Sequence, residues 1–206
     1  MPRNLAILIF DEVEVLDFCG PFEVFSVANR FTSPAAFNVF TVAEKPGPTL
    51  ARNGLSVNPH YRLVDCPPPD ILLVPGGQGT RTEMHNAALV AWIKAQAERA
   101  ELTLSVCTGA LLLAQAGLLD GLEAATHHSA IDLLREVAPH AIVRPDRRFV
   151  DNGRVICSAG IAAGIDMSLH VVARLAGAEI ARQTAGQMEY PWGGDQPASP
   201  KQNVDG

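Results

Sequence analysis

What this chain has little of narrows its chemistry before any motif is read. Lysine and arginine total 16 against 22 aspartates and glutamates, a formal net charge of −6. The basic footprint of a nucleic-acid binder is therefore missing, and no direct nucleic-acid partner is expected. Its four cysteines, Cys19, Cys66, Cys107 and Cys157, are widely spaced and form no C-x-x-C pair. In a reducing compartment that pattern speaks for free thiols and against a disulfide framework or a zinc site. No stretch approaches the about 20 apolar residues of a membrane span. The first residues lack the basic segment, apolar core and small-residue cleavage site of a signal peptide, so a cytoplasmic location and no membrane partner are expected. No internal repeat is present, and no helix-turn-helix pattern follows residue 190.

Hydrophobic residues make up 48% of the chain and charged residues 18%, a balance that excludes general disorder. With 206 residues, one sizeable α/β domain with a buried core fits and two are a tight fit. Residues 1–190 are read as that domain. Residues 191–206 (PWGGDQPASPKQNVDG) are rich in Pro, Gly and polar groups without periodicity and read as a tail. The partner expected is a small molecule or a protein.

Short apolar runs alternate with longer helical ones. Residues 5–10 (LAILIF) are continuously apolar, as a parallel strand buried on both faces is. Gly20-Pro21 precedes Phe22, Val24, Phe25 and Ala28, the pattern of a helix with proline in its first turn. Residues 37–43 and 70–75 read as strands, with an irregular piece through Asn58 between them. Residues 86–100 make an amphipathic helix with Leu89, Val90, Ile93 and Ala97 on one face. A strand over 102–106 leads into a helix over 110–116, and another helix spans 129–137. Val143 and residues 149–150 and 155–157 read as strands around the turn Asp151-Asn152-Gly153. Helices over 165–176 and 178–188 are separated by Gly177. This alternation predicts one doubly wound sheet sandwiched between helices, with ligands gathering beyond the carboxyl ends of its strands.

Four segments then carry the chemistry. Val106-Cys107-Thr108-Gly109-Ala110 lies where a strand stops and a helix begins. Such a turn can strain its residue, expose the side chain above the sheet and, through the helix N-terminus, favour thiolate over thiol. The plain alternative is a cysteine that is merely a small buried hydrophobe. Pro75-Gly76-Gly77-Gln78-Gly79 follows a strand, and its glycines let backbone N–H groups approach a ligand as an oxyanion hole requires; an ordinary strand-ending turn has the same composition. Asp17, in Leu16-Asp17-Phe18-Cys19-Gly20-Pro21, sits among apolar neighbours where desolvation would raise its pKa and fit it to carry a proton, or else caps the following helix. In Thr126-His127-His128-Ser129 the adjacent histidines point in different directions, so at most one faces a nucleophile. Elsewhere Arg81, Arg147 and Arg148 read as solvated charges. Asp166 reads as a helix-start carboxylate, or as a group behind the pocket with Ala159-Gly160 and Gly164 closely packed.

In their order and placement LDFCGPFEVF, LLVPGGQG, SVCTGALLLAQAGLLDGLEAATHHSAIDLL and VICSAGIAAGIDMSLHVVARLAG resemble the ThiJ/PfpI superfamily of class I glutamine-amidotransferase-like proteins. The resemblance covers about residues 4–190. Within the superfamily the chain is most similar to the isonitrile hydratase branch and to the sensor-like domains ahead of AraC-type regulators. The resemblance implies a flavodoxin-like sandwich, a homodimer, and no metal or organic cofactor. It implies Cys107 as nucleophile, Asp17 as the acid hydrogen-bonded to it, and Gly76, Gly77 and the backbone at Thr108, next to Gly109, as oxyanion-type or substrate-binding donors. His127 matches the family's histidine, and His128 stands where tryptophan is frequent.

Departures narrow the activity. Thr108 stands where proteolytic members place a histidine, and Ser105 where glutamine amidotransferases place the first glycine of G-x-C-x-G. The acid is an aspartate, as in isonitrile hydratases, whereas the deglycase and glyoxalase branch uses glutamate. The expected activity is therefore cysteine-dependent hydration of an isonitrile to an N-substituted formamide. The alternatives are a ligand- or redox-sensing domain without turnover, for which an accessible low-pKa thiol is equally suited, and glyoxalase or deglycase activity on α-oxoaldehydes.

Overall fold

The structure, a computed structural model, describes residues 1–193. Its strands are β1 (Arg3–Leu8), β2 (Phe37–Ala43), β3 (Thr49–Leu50), β4 (Ser56–Val57), β5 (Tyr61–Arg62), β6 (Ile71–Val74), β7 (Leu102–Val106), β8 (Glu123–Ala124), β9 (Ile142–Val143), β10 (Phe149–Asp151) and β11 (Val155–Ser158). The helices are α1 (Val15–Ala28), α2 (Thr80–Glu83), α3 (Ala87–Arg99), α4 (Gly109–Gln115), α5 (Ile131–Val137), α6 (Ala163–Ala176) and α7 (Ala178–Gln187).

Seven strands form the main sheet in the order β10-β11-β7-β6-β1-β2-β5. All neighbours pair in parallel except β10 with β11. The central strands are mostly apolar because both of their faces are covered: Leu5 to Leu8 and Ile71 to Val74 have no exposed surface. The helices pack in two groups, α1 with α6 and α7, and α3 and α5 against α4. This is the expected flavodoxin-like, mostly parallel α/β sheet. After β1 the chain builds outward through β2, then returns to lay β6 on the other side of β1, so the sheet changes direction between β1 and β6. The loops after β1, β6 and β7 meet at that crevice, where open α/β sheets bind ligands.

Expected boundaries hold over residues 37–43 and 102–106. Asn86 caps α3 by accepting from Leu89 N–H at 3.2 Å, and Leu89, Ile93 and Ala97 form its buried face. The first helix departs from expectation. It starts at Val15, so Pro21 lies inside it and cannot donate to the Asp17 carbonyl. An interior proline costs about 3 kcal/mol. Burial of Phe18, Val24 and Phe25 on this helix, at about 1.5–3 kcal/mol each, outweighs that cost. The stretch read as irregular contains the hairpin of β3 and β4, and the edge strand β5 follows it in residues given no element by the sequence reading. Of the tail read over 191–206, residues 191–193 carry no regular element and 194–206 lie outside the described residues. No helix of the described residues is long and apolar enough to cross a membrane.

Candidate active site

Cys107 follows the last residue of β7 and adopts φ +57°, a left-handed conformation that L side chains rarely take and that costs about 1–3 kcal/mol. Its two backbone groups are tied down. The N–H is shared between the carbonyls of Ser158 and Ala159 at 3.2 and 3.1 Å, and the carbonyl accepts from Thr126 Oγ1 at 2.8 Å. These bonds hold the elbow and turn the thiol toward the crevice, where it is only 5% exposed yet lines an open pocket of about 140 Å³. Two backbone N–H groups favour a charge on the sulfur, those of Thr108 and Ile161. Ile161 is itself left-handed at φ +49° although β-branched. Two strained non-glycine residues thus meet at one sulfur.

Asp17, in the first turn of α1, is fully buried. Its Oδ2 accepts from Gly76 N–H at 3.0 Å, while Oδ1 has no hydrogen-bond partner. The Cys107 thiol is close enough to lower the Asp17 pKa, without forming a well-aligned S–H···O bond. Burial pushes the carboxyl up to about 7, helped by the charge of Glu14 and opposed by the Gly76 N–H and the Cys107 thiol. Burial, then the Asp17 charge, push the Cys107 thiol up to about 12 against the pull of the Thr108 and Ile161 N–H groups. The expectation that the helix N-terminus alone would favour thiolate is corrected here, because desolvation and a neighbouring carboxylate outweigh it. What the site holds is a coupled pair that releases its first proton near neutrality.

Gly76 and Gly77 stand beside this pair but do not aim their amides at the pocket as expected. Gly76 N–H serves Asp17, and Gly77 N–H donates to Thr108 Oγ1 at 2.9 Å. Thr108 Oγ1 in turn donates to the Gly77 carbonyl at 3.1 Å and accepts from Thr80 Oγ1 at 3.1 Å. Buried amides seek partners within reach, and here carboxylate and hydroxyl are nearer than the pocket. Gly76 is nonetheless required: a Cβ there would fall 2.5 Å from Thr108 N, 2.6 Å from Thr108 Oγ1 and 2.9 Å from Asp17 Oδ2. Gly109 is a packing residue, since a Cβ on it would lie 2.1 Å from the Val74 carbonyl oxygen.

His127 is half-buried and lines the pocket. Its Nδ1 lies 2.8 Å from Ser129 Oγ and accepts from Ser129 N–H at 3.3 Å. Its ring fills the space a side chain on Gly160 would need. His128 points out to solvent, its ring 4.2 Å from that of His127, so only one of the two histidines faces the site. The structure therefore brings Cys107, Asp17, Thr108, Gly77 and His127 together.

Reading the sequence missed Ile161, whose role is a backbone conformation that composition does not announce. It also missed Glu14 and Arg52 on the pocket wall, and it took Arg81 for a solvated charge although that side chain lines the pocket as well. Asp166 is not a pocket group, because Arg148 and the Tyr190 hydroxyl, at 3.1 Å, engage it. Arg148 is accordingly paired rather than merely solvated.

Comparisons with known proteins bear on the family and the fold. The DJ-1/PfpI family model matches residues 3–174. An isonitrile hydratase of Pseudomonas putida is 35% identical over 190 residues, 92% of this chain and 79% of the relative. The HTH-type transcriptional regulator CdhR of Pseudomonas aeruginosa is 34% identical over 91% of this chain, which spans only 55% of the regulator's length. Among solved structures, a ThiJ/PfpI family protein from Pseudomonas syringae superposes with a TM-score of 0.85 at 29% identity, covering all of this chain and 80% of the other.

Proposed function

The chain belongs to the DJ-1/PfpI family, and from that premise we propose that it hydrates an isonitrile, R–NC, to the N-substituted formamide. The carrying observation is the coupled Asp17 and Cys107 pair, poised near neutrality, whose cysteine lines the pocket with the buried aspartate behind it. The similarity to an isonitrile hydratase supports the choice of substrate class.

In this reading the pair begins with one proton to give. The sulfur attacks the terminal carbon, forming the S–C bond, while its proton passes to the Asp17 carboxylate and from there to that carbon, which yields the thioformimidate R–N=CH–S–Cys107. Water then adds to the carbon and a proton goes to nitrogen. Collapse of the adduct breaks the S–C bond, releases R–NH–CHO and returns the remaining proton to the pair. The net change is addition of one water. The Thr108 and Ile161 N–H groups stabilise the departing and attacking sulfur anion. The hydroxyl of Thr108 holds the Gly77 loop in register.

Asp17→Asn retains the shape of the carboxyl while removing its proton. It is expected to abolish formamide production from a simple aryl isonitrile, followed by chromatography, while Cys107 stays open to alkylation; unchanged turnover refutes the assignment. The similarity to a regulator over 91% of this chain favours a second reading, a ligand- or redox-sensing domain. Silence across an isonitrile panel, with peroxide-dependent modification of Cys107, would select it. We further propose that residues 1–190 act as one unit and assemble as a homodimer, which light scattering measures.

A further inference from the structure

The hydratase reading, on which this inference rests, leaves open what the organic group R carries. Two cations from separate segments reach the pocket above Cys107: Arg52, in the turn between β3 and β4, and Arg81, in α2. Glu14 is the one acidic residue among those lining it. Among the lining residues cations outnumber anions two to one, although Arg52 also pairs with Glu12 at 3.1 Å just outside the lining.

Both guanidiniums are anchored without being used up. Arg81 spends Nη1 on the Gly77 carbonyl and on Thr80 Oγ1, each at 3.1 Å, so the hydroxyl clamp that orders the Gly77 loop also aims this side chain. Arg52 spends Nη1 on Glu12 Oε2 at 3.1 Å, and its backbone N–H donates to the Val13 carbonyl at 2.9 Å. A guanidinium has five N–H donors in a planar fork. Each arginine therefore keeps donors for a ligand, and the fork geometry suits a carboxylate better than a neutral group.

We propose that the substrate carries a carboxylate, which Arg52 and Arg81 hold at the rim while the isonitrile carbon reaches down to Cys107. The small volume of the pocket, about 140 Å³, places the two ends of a compact substrate at rim and floor together. The Glu14 carboxylate disfavours a second negative charge, so a single carboxylate is the class expected.

Two readouts test this. The first compares 4-isocyanobenzoate with its methyl ester as substrates. The acid is expected to be preferred in kcat/KM by about tenfold, the scale of a charge-assisted hydrogen bond at a partly exposed site, and the preference is expected to fall toward one in Arg52→Met and in Arg81→Met. The second does not depend on turnover: the rates at which iodoacetate and iodoacetamide alkylate Cys107. Their ratio is expected to favour iodoacetate more in the unaltered protein than in either variant, and Arg52→Met leaves the Thr108 clamp in place should Arg81→Met disturb folding. A ratio that falls in the variants while neither isonitrile reacts keeps the anion site and sinks the hydratase reading. A ratio equal in the unaltered protein and both variants overturns the proposal, whatever the isonitriles do.

Discussion

At the floor of the pocket and just behind it, Cys107 and Asp17 are buried and held by backbone: two carbonyls and a threonine hydroxyl fix the cysteine, and the Gly76 amide fixes the aspartate. At the rim, Arg52, Arg81 and Glu14 are partly exposed side chains on three different segments. The floor sets reactivity through desolvation, where a few ångströms change a pKa by several units. The rim sets selectivity through screened charges worth far less each. Left-handed backbone occurs in both regions, at Cys107 and Ile161 on the floor and at Glu12 and Asn53 beside the rim, but only at the floor does it carry the reacting sulfur and an N–H that faces it.

If the floor is as tightly specified as this contrast says, Gly76→Ala has a large effect on both turnover and stability. Its Cβ would collide with the Thr108 amide and crowd Asp17, so turnover should fall at least a hundredfold, and chemical denaturation should show a loss of about 1–3 kcal/mol. An active, stable Gly76→Ala protein would erase the distinction between floor and rim.

Asp17 sharpens the contrast through pH. Its folded-state pKa of about 7 lies above the ordinary 3.8, so the folded protein binds this proton more tightly than the unfolded chain. The stabilisation it gives is fully present below about pH 4 and is lost progressively as pH rises to about 7, a change of up to about 4 kcal/mol for the buried group. Asp17→Asn should therefore raise the Tm relative to the unaltered protein at pH 8 and lose that advantage at low pH. A variant less stable at pH 8 than at pH 4 by the same margin as the unaltered protein would show that Asp17 is not the group responsible. Such a gain in stability on losing a functional charge is the trade active sites usually make.

The smallest effect is expected at Ile161. Glycine takes φ +49° without strain, so Ile161→Gly trades relief of that strain against greater freedom of the unfolded chain, and stability should stay within about 1 kcal/mol. Alkylation of Cys107 should nonetheless slow, because the N–H that faces the sulfur is then less rigidly placed. A rate unchanged within error would remove Ile161 from the account.

Much of the fold was legible because its signals are local. The apolar run of β1, the strand over 102–106 and the capped helix α3 each follow from periodicity and burial that neighbouring residues determine. The start of α1 was not, since the Gly-Pro pair mimics a helix start and only the burial of Phe18, Val24 and Phe25 shows otherwise. At the site, Cys107 and Asp17 were visible as a strand-to-helix cysteine and a carboxylate among apolar residues. The destinations of the Gly76 and Gly77 amides were not visible, because they depend on which acceptor from a distant segment arrives first. Arg52 and Ile161 were invisible for the same reason: one is a side chain carried by a hairpin, the other a backbone angle.

The central claim is that Asp17 and Cys107 titrate as one pair whose first proton leaves near neutrality. The pH dependence of Cys107 alkylation by iodoacetamide, measured in the unaltered protein and in Asp17→Asn, tests it most directly. The unaltered protein should show a rise in rate centred at about pH 7 followed by a second rise at higher pH, and Asp17→Asn should lack the step near neutrality and keep a single one. The same step near pH 7 in both proteins, or a flat rate between pH 6 and 8 in the unaltered one, would contradict it.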